Sequence, residues 1–229
     1  MANAHDETHE IKLQVVRDEV AGGWLNRFVK VAGSNVRPCP LIVANSLQEI
    51  EYYCEVKEES EIIFRRGGKD GHQIGHCRPC QQKSGFTDLH LNQTDHPVHY
   101  FIQLHHGHSN LRPYKEITTF TYPPGVDEYV WKGHLKLEKQ VTTTKFKFIP
   151  TTTSTAVVAT FHPKGLGGLL HNVGDFELTW DQDNMPNQAD FKRFKDVIVL
   201  TGLIVQERAD EHRLTVKALC GKTANHLPG

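Results

Sequence analysis

The stretch "GHQIGHCRPCQQ" places His72, His76, Cys77 and Cys80 within nine residues. A Cys-x-x-Cys pair presents two thiolates to one tetrahedral ion, and a histidine just before it adds a third ligand. Zinc or another transition metal is the cofactor such a set would hold, with His90, His96 or His99 downstream to complete it. Two other readings stay open. A redox dithiol would want the first cysteine at the start of a helix, and a plain turn with two reduced thiols needs no ligand at all.

Histidines gather again in "HPVHYFIQLHHGHSN", which holds His96, His99, His105, His106 and His108. On a strand, His99 and His105 share a face with Phe101 and Gln103, while His106 falls with Tyr100, Ile102 and Leu104 on the other. His99 and His105 are therefore the candidate catalytic pair, because imidazoles exchange protons near neutral pH. The plainer alternative is a set of exposed histidines at a strand end. Carboxylates are less informative: Glu55, Glu58, Glu59 and Glu61 read as a solvated turn, and no spacing singles out an acid–base pair. Nucleophile-elbow, phosphate-loop and dinucleotide fingerprints do not occur in the sequence.

Cations cluster at Arg65, Arg66, Lys69, Arg78 and Lys83, and again at Lys132, Lys136, Lys145 and Lys147. Lys145 and Lys147 alternate with Phe146 and Phe148, so they face outward if the rings are core. Arg65, Arg66, Lys132, Lys136, Lys145 and Lys147 are the candidate ligands for an anionic headgroup, each contact being charge-assisted. A solvated strand face would read the same way. Net charge is −1 over 229 residues, which provides no general field for nucleic acid.

Those side chains must be positioned by short strands. "IKLQVV", "IEYYCEV", "EIIFRR", "VHYFIQLHH", "EITTFTY", "DEYVWKGHLKLE", "TTTKFKFIP", "TAVVATFHP" and "DFELTWD" alternate apolar and polar residues and are rich in β-branched and aromatic types. "RGGKDGHQIG" reads as a glycine-rich connection and "NSLQEIEYY" as a brief helix. From 189 to 212 the pattern changes to that of a helix, with Pro186 and Asn187 before it and Asp190 in its first turn. "RLTVKALC" beyond it fits a last strand or a helical extension. The run from Val197 to Val205 is apolar on every side except at Thr201 and Gly202, yet it is far shorter than the roughly 20 residues that span a bilayer. Something must wrap it. A closed antiparallel barrel removes its own edges and needs its interior filled, so the fold expected is mainly β: a closed antiparallel barrel with a C-terminal hydrophobic helix threaded through its centre. Residues 11–220 would form this single domain, between short tails at 1–10 and 221–229.

"DEYVWKGHLKLE", "TAVVATFHPKG", "FELTWD" and "FKDVIVLTGLIVQER" occur in the order found in small fungal tubby-like proteins, and over residues 126–209 the chain resembles that group. The wider superfamily comprises tubby C-terminal domains, phospholipid scramblases and LURP-one proteins. The resemblance implies a barrel around a helix and contact with a lipid or phosphoinositide headgroup. The sequence shows no calcium loop, proline-rich leader or transmembrane C-terminus of the scramblase kind.

Two functions follow as expectations. One is an intracellular binding module for a lipid headgroup or other hydrophobic ligand, with an anionic lipid or hydrophobic small molecule as partner and peripheral contact with membranes. The other is a small histidine-rich enzyme, metal-dependent or using His99 and His105, that acts on an apolar metabolite at the barrel rim. The five cysteines form no even set, and the first residues lack a basic-then-apolar leader, so a cytoplasmic location is expected.

Overall fold

The computed structural model describes residues 8–18, 40–57, 61–92, 100–108, 116–123, 126–133, 136–143, 152–164, 172–181 and 188–224. Twelve strands run in sequence order: β1 (Thr8–Arg17), β2 (Leu41–Ala44), β3 (Ile50–Val56), β4 (Ile62–Arg66), β5 (Gln73–Pro79), β6 (Phe86–Leu91), β7 (Tyr100–His108), β8 (Glu116–Thr121), β9 (Glu128–Lys132), β10 (Lys136–Thr143), β11 (Thr152–Pro163) and β12 (Asn172–Asp181). Each pairs antiparallel with its neighbours in the chain, and β12 closes onto β1, giving the expected closed barrel. One helix follows, α1 (Gln188–Ala224).

Several boundaries move. β1 starts inside the expected N-terminal tail, and α1 runs well past 212, so "RLTVKALC" is the helical extension rather than a strand. "DEYVWKGHLKLE" is two strands joined at Gly133, whose φ of 56° suits a residue without a side chain. "NSLQEIEYY" is a tight turn followed by β3. The glycine-rich connection conceals a strand, β5, because Gly75 sits where a Cβ would press on the carbonyl of His90 and the Leu91 side chain. Of "TTTKFKFIP", Thr142 and Thr143 belong to β10, and 144–150 lie outside the described residues.

Alternation sorts each strand into an inner and an outer row. Leu13 and Val15, Tyr52 and Cys54, Leu89 and Leu91, Ile102 and Leu104, and Phe176 and Leu178 turn inward and are buried. About eight strands close around side chains alone; twelve enclose more space, and an α-helix is about 10 Å across. α1 takes that space. From Val197 to Val205 every residue is buried, and its contacts come from all round the wall. Thr201 accepts a hydrogen bond from the Trp131 indole on β9 (3.1 Å) and donates to the carbonyl of Ile198 (3.1 Å). A Cβ on Gly202 would lie 2.6 Å from the Phe176 ring on β12, and one on Gly75 of β5 would meet Leu200. The two breaks in the apolar run thus have uses: one satisfies a buried indole, the other lets helix and wall approach closely.

Polar contacts fix α1 near both mouths. Toward its N-terminus, Asp196 accepts from the Tyr52 hydroxyl (2.7 Å) and pairs with Arg66, whose guanidinium also lies over the Tyr52 ring; Lys195 pairs with Glu51. Farther along, Glu207 faces Arg17 of β1 at 3.6 Å, both buried. Burial pushes the Tyr52 phenol well above its ordinary pKa, so it stays a donor to Asp196.

Two substitutions test the threading by urea unfolding. Leu200→Ala, at a wholly buried site, is expected to cost about 2–5 kcal/mol. Gly202→Ala gains up to about 1 kcal/mol of helix propensity but meets the Phe176 ring, which costs about 1–3 kcal/mol, so it destabilises overall. Stabilisation by Gly202→Ala, or no effect of Leu200→Ala, would contradict a helix packed against the wall.

Candidate functional site

With the interior filled by α1, the described residues form a cleft on the outside of the barrel. A cleft of about 430 Å³ is lined by Lys12 and Gln14 of β1, Asp175 and Glu177 of β12, His162 of β11, Lys164 just beyond it, and Asn45, Ser46 and Gln48 of the β2–β3 turn. The register explains the gathering. Lys12 lies opposite Glu177 and Gln14 opposite Asp175, while His162 pairs with Asp175 from the other side. Outward-facing residues of three adjacent strands are therefore brought into two rows.

The charges in these rows are matched. Lys12 bridges Glu10 (2.9 Å) and Glu177 (3.7 Å), Lys164 pairs with Asp175 (2.6 Å), and His162 Nε2 meets Glu177 at 3.0 Å. Hydrogen bonding with Glu10, then with His162, holds the Glu177 carboxyl below its ordinary pKa, and Glu10 raises that of Lys12. All these pairs face water, so each contributes little to stability. The cleft thus holds cations and carboxylates a few ångströms apart.

The turn at its lip is held by the side chain of Asn45. Asn45 Oδ1 accepts from the amides of Leu47 (2.9 Å) and Glu49 (3.0 Å), and its amide group donates to Glu49 (2.9 Å). Gln48 takes a φ of 65° at the tip. This arrangement presents Leu47 to solvent with 76% of its surface exposed, and Ile50 beside it at 42%. Neither residue nor the cleft was singled out by sequence motifs. A lone leucine after Asn-Ser in a turn was the only available signal.

The residues that were singled out are dispersed. Arg65 and Arg66 lie on β4 and Lys132 and Lys136 on or at the ends of β9 and β10, five to six strands away around a ring of twelve, so they form no common patch. Arg66 is engaged with Asp196, Arg65 donates to the carbonyl of Gly71 (3.4 Å), and Lys132 pairs with Glu138. Lys136 is exposed opposite Lys132. Lys145 and Lys147 lie outside the described residues.

β5 likewise divides the proposed metal ligands. Alternation turns Cys77 into the barrel, buried, where desolvation pushes its thiol up to about 12. His76 faces outward and stacks on His90 (centroids 4.9 Å apart), His72 is exposed before the strand, and Cys80 follows its end. An enclosed thiol and an imidazole on the opposite face of the same strand are not placed to share one ion. Among the described residues no three His, Cys, Asp or Glu side chains are grouped to hold an ion.

His105 is on the outer wall, stacked on Phe86 (4.6 Å), and so does not line the interior; His99 lies outside the described residues. The histidine that does turn inward is His106. Its Nδ1 shares a hydrogen bond with Thr118 Oγ1 and its Nε2 with Thr87 Oγ1, each 2.9 Å. Burial, then the charge of Arg208 on α1, pushes its pKa down to about 3. Such an imidazole is a neutral bridge between strands β6 and β8, and a poor general base at neutral pH.

The fold class is that of a closed antiparallel barrel around a threaded helix, and no protein-family model, curated protein or solved structure matches the chain. Among the described residues, no helix is long and apolar enough to cross a membrane.

His106 gives a pH prediction. Its folded pKa lies below the ordinary 6.5, so the unfolded chain takes up the proton first, and stability falls as pH drops from about 6.5 towards 3. The slope from this one group is at most about 1.4 kcal/mol per pH unit. Chemical unfolding of wild type and His106→Gln between pH 7 and 4 should show the flatter profile in the variant; parallel profiles would place the proton elsewhere.

Proposed function

We propose that the protein is a binding module for lipid surfaces, taking a phospholipid headgroup in the outer cleft beside the β2–β3 turn. The observation that carries this reading is the pairing of the cleft with a hydrogen-bonded turn that exposes Leu47 between two residues of its lining, Ser46 and Gln48. Lys12 and Lys164 receive the phosphate by charge-assisted contacts. Asp175 and Glu177, displaced from those lysines, take an amine on the same headgroup. Asn45, Ser46 and Gln48 add neutral donors and acceptors. Because two lysines are balanced by two carboxylates, the lining favours a headgroup that carries both phosphate and amine, as in phosphatidylethanolamine or phosphatidylserine, over a polyphosphorylated inositol.

Leu47 supplies affinity and the cleft supplies choice. Complete burial of an exposed leucine contributes about 1.5–3 kcal/mol, so its entry into the interfacial layer corresponds to roughly 10–100-fold in partitioning. The resemblance to tubby-like proteins points the same way, towards lipid contact, but the cationic residues that it brought forward are not those that line this cleft.

Co-sedimentation with vesicles tests the reading. Vesicles of phosphatidylcholine containing phosphatidylethanolamine or phosphatidylserine should bind more protein than phosphatidylcholine alone, and Lys12→Ala/Lys164→Ala should lose that difference. Leu47→Ser should weaken vesicle binding roughly tenfold or more while leaving binding of soluble glycerophosphoethanolamine unchanged. Equal binding to all compositions, or full binding by the double variant, would sink the proposal.

A further inference from the structure

At the mouth where α1 leaves the barrel core there is a second cavity, of about 140 Å³. Val56, Ile62, Pro79 and Ile204 provide its apolar sides, and Cys77, Thr87, Glu207 and Arg208 its polar groups. It forms because the inward rows of β3, β4, β5 and β6 end here while α1 turns from apolar to charged at Glu207. Thr87, only 5% exposed, lines the cavity and is held by His106.

Charge decides what would enter. Glu207 is buried against Arg17, which offsets its negative charge. Arg208 is exposed at the rim and makes no ion pair with the described residues. Among the described residues, Arg17 and Glu207 thus offset one another and Arg208 stands at the rim, while Glu61, just before β4, acts on Cys77 from the other side. His106, across Thr87, adds no charge of its own near neutral pH, and the lowering of its pKa by Arg208 shows that the positive field reaches this end of the barrel. Cys77 is equally passive, its thiol being protonated. A small apolar cavity with Arg208, which pairs with no carboxylate among the described residues, at its opening suits an anion on an aliphatic body.

We infer that this cavity is a binding site for a monoanionic amphiphile, a straight-chain carboxylate whose chain lies against Val56, Ile62 and Ile204 and whose head pairs with Arg208. The site is separate from the outer cleft and does not depend on its role. No covalent step is involved, because neither Cys77 nor His106 is in a reactive protonation state.

Calorimetric titration with octanoate tests this, with 1-octanol as a probe of the same body without the charge. Octanoate should bind about tenfold tighter than octanol or better, and Arg208→Gln, at an exposed position, should remove the difference. Ile62→Trp, which fills the cavity, should abolish binding of both; should that variant fail to fold by circular dichroism, the Arg208 arm decides. Lys12→Ala/Lys164→Ala should bind octanoate as wild type does. The inference is overturned if octanoate produces no saturable heat, if octanol binds equally well, if Arg208→Gln is without effect, or if the cleft variant loses octanoate binding.

Discussion

The whole structure depends on one constraint: the nine residues from Val197 to Val205 have no face that can be left in water. A helix with an apolar stripe needs a partner on one side, but a helix apolar all round needs an enclosure. An antiparallel sheet that curls until its first and last strands pair supplies one, and the same closure leaves the sheet without an exposed edge. Helix and wall therefore each solve the other's problem.

Apolar burial alone would leave α1 free to slide or rotate, because the hydrophobic effect has no direction. Directional contacts among the described residues are spaced along the helix. Asp196 with Tyr52 and Arg66 fixes one end, Thr201 under the Trp131 indole fixes the middle, and Glu207 against Arg17 fixes the other end. At 1.5 Å per residue, the interval from Asp196 to Glu207 is about 16 Å, comparable to a strand of five residues. A buried ion pair such as Arg17–Glu207 contributes little net stability once desolvation is counted, but a slipped helix would strand both charges, which makes the pair a register mark.

This division explains what the sequence made legible. Period-two alternation in "IEYYCEV" and "DFELTWD" and the all-round apolar run are consequences of burial, and burial is written in residue type. Strand β5 was missed because its glycines and its His-Cys-x-x-Cys spacing look like a metal-binding turn; only the ladders to β4 and β6 show that His76 and Cys77 point opposite ways. Alternation separated His105 from His106 correctly but could not say which face was inner, and it is His106 that turns inward. The dispersal of the described basic residues has another reason. Arg65 and Lys132 look alike in the sequence, but barrel closure places them on opposite walls, and Arg66 is drawn into a structural role by Asp196, 130 residues later.

The outer cleft was illegible for the same reason. His162 and Asp175 face each other across the consecutive strands β11 and β12, but Lys12 comes from the other end of the chain and joins them only when β12 closes the ring against β1. Closure is thus the step that stabilises the fold and also the step that assembles the cleft. Filling the centre with a helix takes up the interior space of a barrel of this size, so the clefts described lie at the seam and at a mouth. There the strands lose their apolar partner, and polar side chains such as Lys164, Asp175 and Arg208 become affordable again, because water can solvate what the core cannot.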